Sequence, residues 1–100
     1  MRINIVKKDS QVWVRVLIKH PMETGLRKDK GTGKVIPAHF IKNVVLQHNG
    51  ADVVTAKCGV AISKDPFFFF KINGVNSGDV IKINWEDNTG KSETAEEKVA

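Results

Sequence analysis

Hydrophobic and polar residues alternate along short stretches of the chain, and most of these stretches end at residues that favour turns. In residues 12–19 valine or isoleucine occupies every even position, and this period of two is typical of a β-strand. Similar apolar stretches predict strands over residues 40–47, 53–58, 67–75 and 80–85. Asn49-Gly50 supplies the positive φ angles of a tight hairpin turn. The pattern is that of an all-β protein.

The last segment of the chain carries two conflicting signals. Residues 92–100 are rich in Glu, Ala and Lys, which favour a helix, but they follow a turn at residues 87–90. Because local propensity is weaker than the need of a neighbouring strand for a partner, we predict an edge strand. Six or seven strands in 100 residues fit one domain, residues 1–100, folded as an immunoglobulin-like antiparallel β-sandwich of about seven strands.

Charged and polar neighbours indicate which aromatic residues point away from the core. Side chains alternate across a strand, so Lys71 and Asn73 place the odd-numbered phenylalanines of residues 67–70 outside and the even-numbered ones inside. By the same rule Arg15 and Lys19 place the other odd-numbered residues of their strand outside. Aromatic side chains on an outer sheet face are typical of a surface that binds another protein. We predict a partner interface made by Trp13, Leu17, Phe67 and Phe69.

Basic residues are concentrated in the first part of the chain, although the net charge of the whole chain is only +5. Residues 1–42 contain ten basic and three acidic residues, whereas residues 43–100 contain six and eight. Within the basic part, residues 20–39 show no periodicity and form a loop that is longer than usual for a compact domain. Such a loop is a candidate for binding an anionic partner, and its cations are Arg27, Lys28, Lys30 and Lys34.

The residue types that carry enzyme chemistry are few and form no motif. None of the three histidines has the close spacing of metal ligands on a strand, so we expect no metal and surface or turn positions for His20, His39 and His48. Cys58 has no nucleophile motif around it and is expected to be a structural thiol. Glu86 and Asp87 point to opposite faces if their strand continues. We therefore expect no catalytic residue and no cofactor, and no apolar stretch is long enough to span a membrane.

The long loop contains the most specific motif of the sequence. Its first eight residues are His20-Pro21-Met22-Glu23-Thr24-Gly25-Leu26-Arg27, followed by Lys28-Asp29 and Gly33-Lys34-Val35-Ile36-Pro37. This segment closely resembles the SoxZ family of sulfur-oxidation proteins. Supporting positions run through nearly the whole chain: Asn49-Gly50, Ala61-Ile62-Ser63 before Pro66-Phe67, and Trp85-Glu86-Asp87 with Gly90.

The resemblance implies a sandwich that pairs with SoxY to form the SoxYZ carrier of periplasmic thiosulfate oxidation. In that family a cysteine of SoxY, on a mobile Gly-Gly-Cys-Gly-Gly arm, carries the sulfur intermediates. No such arm occurs here, so the resemblance implies a non-catalytic binding subunit that also docks transiently onto other Sox enzymes and cytochromes. The N-terminal residues do not form a secretory signal, and co-export with SoxY to the periplasm is expected. The resemblance assigns no role to Cys58.

Two functions of other classes stay open at this level. Arg15 and Lys19 lie beside Trp13 and Leu17, which is the mixture of basic and aromatic residues that a nucleic-acid-binding sandwich uses. An iron-binding oxidoreductase sandwich of the superoxide reductase kind requires four histidines and a cysteine, one histidine more than this chain has. The resemblance favours a protein partner, so we expect neither nucleic acid nor membrane to be one.

Overall fold

Strands account for all the regular secondary structure in the computed structural model, which describes residues 1–59 and 62–100. The seven strands found there are β1 (Arg2–Lys8), β2 (Gln11–Leu17), β3 (Ile41–His48), β4 (Ala51–Lys57), β5 (Phe67–Ile72), β6 (Val80–Asp87) and β7 (Ser92–Lys98). They form two antiparallel sheets with the orders β1-β2-β5 and β4-β3-β6-β7. The predicted immunoglobulin-like β-sandwich is thereby confirmed. The described residues include no helix of the length and apolarity needed to cross a membrane.

The core lies between the two sheets and is filled by the alternation of side chains. β2 buries every even-numbered residue, and β6 buries every odd-numbered residue from Ile81 to Asp87. In the second sheet Ile83 lies opposite Leu46 of β3 and Ala95 of β7. The pattern of period two therefore locates the inner faces correctly.

Turns and strand ends agree with the sequence in most places. Asn49 and Gly50 have φ angles of 50° and 85°, as the predicted hairpin turn between β3 and β4 requires. The last segment is an edge strand, β7, and no helix forms there. Two details differ from the sequence-based prediction. It includes no strand at β1, and β5 ends at Ile72, three residues before the predicted end. Ala61, one of the positions of the resemblance, lies outside the described residues.

A β-bulge at the start of β3 aligns the end of the long loop with the end of β6. The register between these strands shifts between Ile41, which lies opposite Asp87, and Asn43, which lies opposite Glu86. As a result, Ile41 and Asp87 are both fully buried at one end of the sandwich. This end of the molecule carries the long loop.

Replacing Ile83 by alanine tests the assignment of the core. Ile83 is fully buried, so Ile83→Ala should lower the free energy of unfolding by about 2–5 kcal/mol in urea titrations, because apolar contacts are lost and a cavity is left. The control is Val53→Ala in β4, where the side chain is exposed and the loss should stay below about 0.5 kcal/mol. Equal losses in the two variants would contradict the assignment.

Candidate functional site

The loop of residues 20–39 folds back on itself as an irregular hairpin. An isolated bridge joins Glu23 to His39 near its base, and a second joins Lys28 to Val35 near its tip. At the tip the Asp29 carboxylate accepts hydrogen bonds from the backbone N–H groups of residues 31 and 32, at 2.7 and 3.1 Å. The absence of periodicity in the sequence therefore reflects a shaped hairpin whose backbone is held by local hydrogen bonds.

Backbone geometry explains two residues at the base of the hairpin. Gly25 has a φ of 85°, and a Cβ atom there would lie 3.2 Å from the Cβ of Ala38 on the returning strand of the hairpin. Any larger residue would be strained in φ and crowded against Ala38. Met22 also has a positive φ, 49°, although it is not a glycine, and its side chain is buried in the core. Met22 and Gly25 belong to the motif at residues 20–27, so this motif has a role in shaping the loop.

Two histidines from the two ends of the loop meet one buried carboxylate. His20 Nε2 lies 3.0 Å from Asp87 Oδ2, and His39 Nε2 lies 2.8 Å from the same oxygen. Asp87 is fully buried and His20 nearly so, whereas the side chain of His39 is 32% exposed. The His20 ring also packs edge-to-face against His39 and against Trp85, with ring centroids 4.5 and 5.4 Å apart. We refer to His20, His39 and Asp87 as the His-Asp-His cluster.

The second oxygen of the Asp87 carboxylate is held by the turn after β6. Asp87 Oδ1 accepts hydrogen bonds from the Thr89 backbone N–H, the Thr89 hydroxyl and the Lys91 backbone N–H. Burial on its own raises the pKa of Asp87, but the hydrogen bonds from Thr89, His20 and His39 outweigh it and hold the pKa well below its usual range. Asp87 is therefore ionised at neutral pH.

Each histidine is fixed by further hydrogen bonds. His20 Nδ1 accepts a hydrogen bond from the Met22 backbone N–H at 3.1 Å, so the proton of a neutral ring sits on Nε2 and points at Asp87. Asn88 holds the neighbours of His39, because its side chain donates to Ala38 O and accepts from Phe40 N–H. The Met22 backbone thus orients the His20 ring, and Asn88 holds the backbone on both sides of His39.

The cluster corrects the expectation that the histidines occupy surface or turn positions. His20 is buried and is part of a hydrogen-bonded group with Asp87, which sequence reasoning left without a role. No local spacing could reveal the group, because 67 and 48 residues separate His20 and His39 from Asp87. One signal was available: the inward alternation Ile81, Ile83, Trp85 continues to Asp87 and predicts a carboxylate inside the core.

The outer face of the three-stranded sheet combines apolar and basic side chains. Phe67 is 60% exposed, Phe69 44% and Leu17 37%, while Trp13 is half-buried. In the strand register the outward residues form rows across the sheet: Arg2, Leu17 and Phe67, then Asn4, Arg15 and Phe69, then Val6, Trp13 and Lys71. Strands β1, β2 and β5 contain no acidic residue. We call these nine residues the outer face.

Comparison with known proteins assigns a family to the chain. The family model described as "Sulphur oxidation protein SoxZ" matches residues 1–98 of the 100. The chain belongs to the SoxZ family. It is therefore a component of sulfur oxidation, as the motif at residues 20–27 predicted. A comparison with curated proteins finds no match.

In this SoxZ-family chain the motif at residues 20–27 lines an open cleft. A depression of about 550 Å³ is bounded by Pro21, Met22, Glu23, Thr24, Arg27 and Lys64. Arg27 donates two hydrogen bonds to the carboxylate of Glu23, and these lower the pKa of Glu23. Leu26 is 85% exposed. The motif therefore combines buried residues, which shape the loop, with exposed ones that border a cleft.

The four candidate docking charges are not equivalent. Arg27 is paired with Glu23, so its charge is largely compensated where it stands. Lys28, Lys30 and Lys34 are exposed, and no ion pair within residues 1–59 and 62–100 involves them. The uncompensated positive charge of the loop therefore lies on three lysines around its tip.

Cys58 lies outside all of these features. It follows β4, its backbone N–H donates to Lys42 O at 2.7 Å, and its side chain is partly buried. Burial raises the pKa of the Cys58 thiol, so the reactive thiolate is disfavoured at neutral pH. The geometry is that of the structural thiol which the sequence predicts.

A second histidine–aspartate contact lies near the turn between β3 and β4. His48 Nε2 is 2.8 Å from Asp79 Oδ2, which also accepts a hydrogen bond from the Asn76 backbone N–H at 2.9 Å. These bonds, with the largest effect from Asn76, lower the pKa of Asp79 to about 2. The pair resembles half of the His-Asp-His cluster and lacks the second histidine.

The buried carboxylate predicts a large effect of a small substitution. Asp87→Asn should lower the free energy of unfolding by about 2–5 kcal/mol, because in either orientation the new amide NH2 group faces buried donors: His20 and His39, or Thr89 and Lys91. Thermal and urea unfolding measure the loss. The matched control is Asp79→Asn at the less buried pair, where the loss should be clearly smaller. A loss for Asp87→Asn no larger than that of the control would contradict this account.

Acid should remove the contribution of Asp79. Since its pKa is lower in the folded than in the unfolded chain, its stabilisation is present above the ordinary carboxyl pKa near 4 and is lost as the pH falls towards 2. We therefore expect the difference in urea midpoint between the unsubstituted protein and Asp79→Asn to shrink from pH 5 to pH 2.5. A difference that stays constant over this range would be inconsistent with the lowered pKa.

Proposed function

We propose that the chain is the non-catalytic binding subunit of a SoxYZ carrier complex, which pairs with SoxY through the outer face. The observation that carries the proposal is the exposure of two neighbouring phenylalanines, Phe67 and Phe69, in a sheet of a SoxZ-family chain. The sulfur intermediates would reside on the SoxY cysteine, and the complex would act in thiosulfate oxidation in the periplasm. Co-export with SoxY belongs to the same proposal.

Apolar area on the outer face supports a protein partner. Burying an exposed phenylalanine contributes on the order of 1.5–3 kcal/mol, so covering Phe67, Phe69 and Leu17 would supply a useful part of the association free energy. A shallow depression of about 170 Å³ between Leu17 and Phe67 offers room for a side chain of the partner. Isolated apolar residues on a surface need no explanation, but these are adjacent in the register.

The charge of the outer face indicates the character of the partner surface. Arg2 and Lys71 lie at opposite corners of the outer face and Arg15 lies at its centre, and the three strands contain no acidic residue that could neutralise them. Complementarity therefore requires a SoxY surface that combines apolar side chains with acidic groups opposite these three residues. Strand β7 of the other sheet, which contacts β1, is different, since it carries three glutamates and fits such a surface poorly.

The nucleic-acid alternative loses Trp13 as a platform for stacking. Stacking of bases needs a free aromatic ring, but Lys71 Nζ lies over the Trp13 ring, 5.6 Å from its centroid. The Trp13 indole N–H donates to Gln11, and Phe69 packs against the ring edge-to-face. Trp13 is thus engaged within the sheet, and the exposed aromatic residues of the outer face are Phe67 and Phe69.

The loop lysines support a second contact, with the enzymes that process the bound sulfur. Lys28, Lys30 and Lys34 are exposed around the tip of a hairpin, where their field is not cancelled by a neighbouring carboxylate other than Asp29. Such a group attracts anionic sulfur species or an acidic enzyme surface, and it acts mainly on the rate of association. The paired Arg27 contributes less to this field than the lysines do.

Co-expression with SoxY tests the pairing. Phe69→Glu should reduce the amount of SoxYZ recovered and weaken its affinity by tenfold or more, because a charge replaces an exposed apolar contact, while the isolated chain stays folded. Native mass spectrometry measures the complex, and thermal unfolding of the isolated chain measures its fold. Val53→Glu is the control, since it changes an exposed valine of the other sheet.

Two results would contradict this interface. Retention of full SoxY affinity by Phe69→Glu would show that SoxY binds elsewhere. Loss of the fold in the isolated Phe69→Glu chain would show that the side chain belongs to the core. Salt-sensitive retention of the isolated chain on DNA, lost in Phe69→Glu, would instead support the nucleic-acid alternative.

Charge reversal tests the loop. In the assembled complex, Lys28→Glu with Lys30→Glu should slow turnover by partner enzymes at low ionic strength, and the defect should shrink at high salt because exposed charges are screened beyond about 8–10 Å. SoxY binding should be unchanged. The control is the double reversal Lys57→Glu with Lys98→Glu, which changes the net charge by the same amount at exposed positions outside the loop. A rate unaffected at low salt, or lowered equally by the control, would exclude docking by the loop charges.

A further inference from the structure

We propose that His20, His39 and Asp87 form a binding site for a divalent first-row transition metal ion, of which Zn²⁺ is the probe. Three potential ligand atoms, two imidazole nitrogens and one carboxylate oxygen, lie within 4.8 Å of one another. Both nitrogens already approach the same oxygen at 3.0 and 2.8 Å. The proposal is independent of SoxY pairing, because none of the three residues belongs to the outer face.

The ligand set indicates the class of ion. Two imidazoles and a carboxylate suit Zn²⁺, Fe²⁺, Ni²⁺ or Cu²⁺, whereas Mg²⁺ and Ca²⁺ prefer sites made of oxygen alone. Metal–ligand bonds of about 2.0–2.2 Å bring tetrahedral ligand atoms to about 3.3–3.5 Å from one another. To admit an ion, His20 Nε2 therefore needs to move away from Asp87 Oδ2 by about 0.3–0.5 Å and His39 Nε2 by about 0.5–0.7 Å.

The three ligands are held by parts of the fold that are far apart in sequence. Asp87 ends β6, and its second oxygen is fixed by the Thr89 and Lys91 groups, so that Oδ2 faces the histidines. Asn88 binds the backbone on both sides of His39. Hydrogen bonds of this kind, one shell outside the ligands, orient ligands in known metal sites. The cluster thus has a preformed outer shell.

An ion can enter from the side of His39. This residue is one-third exposed, whereas the other two ligands are buried, so the cluster opens to solvent at one point. Three protein ligands leave a fourth position for water, the arrangement that distinguishes open metal sites from closed structural ones.

Binding costs hydrogen bonds, one of them at the far side of His20. The ion replaces the two His–Asp87 hydrogen bonds. A ring that coordinates through Nε2 also carries its proton on Nδ1, where it now accepts the Met22 N–H, so that bond would be lost too and the loop backbone at Met22 would adjust. The binding free energy of zinc sites is large compared with the net contribution of a few hydrogen bonds. We therefore expect metal binding to be accompanied by a local change at residues 20–22.

Zinc titration of the chelator-treated full chain, prepared without a polyhistidine tag, tests the site. Isothermal calorimetry should show one Zn²⁺ per chain, and His39→Ala should weaken the affinity at least tenfold. His39 is the variant of choice because it is partly exposed and its loss should leave the fold intact, which thermal unfolding without metal checks. His48→Ala is the matched control: it removes a histidine that contacts one aspartate only, and it should leave the affinity unchanged.

Two further measurements locate the ion. Zn²⁺ should raise the unfolding temperature of the unsubstituted protein and of Cys58→Ser, but not that of His39→Ala. Bound Co²⁺ should give the visible absorption bands of a low-coordinate nitrogen and oxygen site, again lost in His39→Ala. The proposal is overturned if the chain binds no Zn²⁺, if His39→Ala binds as tightly as the unsubstituted protein, or if His48→Ala or Cys58→Ser abolishes binding instead.

Discussion

A carboxylate that is fully buried at the end of a core strand is the constraint on which the rest of this structure depends. An unpaired charge in such a position would cost several kcal/mol, so the surrounding chain has to supply hydrogen-bond donors. The turn after β6 satisfies one oxygen of Asp87, and the two ends of the long loop satisfy the other. The loop is therefore tied to the sandwich at its base through Asp87, and its own backbone hydrogen bonds shape the hairpin beyond that base.

Anchoring at the base determines where the rest of the loop can lie. β2 ends at Leu17 and the loop follows directly, so the row of Arg2, Leu17 and Phe67 is the part of the outer face nearest to it. The sandwich is elongated, with extents of 53 × 20 × 17 Å. Both candidate contact regions, the apolar outer face and the basic loop, therefore meet at one end of a long molecule. A partner held by the outer face would leave the loop close by, free to meet a further protein.

Alternation along the chain was sufficient to predict the sandwich and the faces of its strands, because burial enforces a period of two wherever one side of a sheet meets a core. The outward position of Phe67 and Phe69 came from two neighbours, Lys71 and Asn73. The same rule failed for the N-terminal strand, whose only half-buried residues are Ile3 and Ile5 and whose signal is weak. The cluster of His20, His39 and Asp87 could not be predicted, since it arises from tertiary contacts between segments that no local pattern connects.

The state of one hydrogen bond links the structural and the proposed metal-binding roles of the cluster. With a proton on Nε2, His20 donates to Asp87 and accepts from Met22, so both of its ring nitrogens have a partner without metal. With a metal ion on Nε2, the ring proton moves to Nδ1 and the Met22 N–H must turn away. Met22 already adopts a positive φ that is unfavourable for its residue type, so its conformation depends on this bond more than that of an ordinary loop residue. Replacement of the Nε2 protons by a metal ion at the base of the loop would therefore change the conformation of Met22 first. Met22 lies beside the cleft that the motif at residues 20–27 lines.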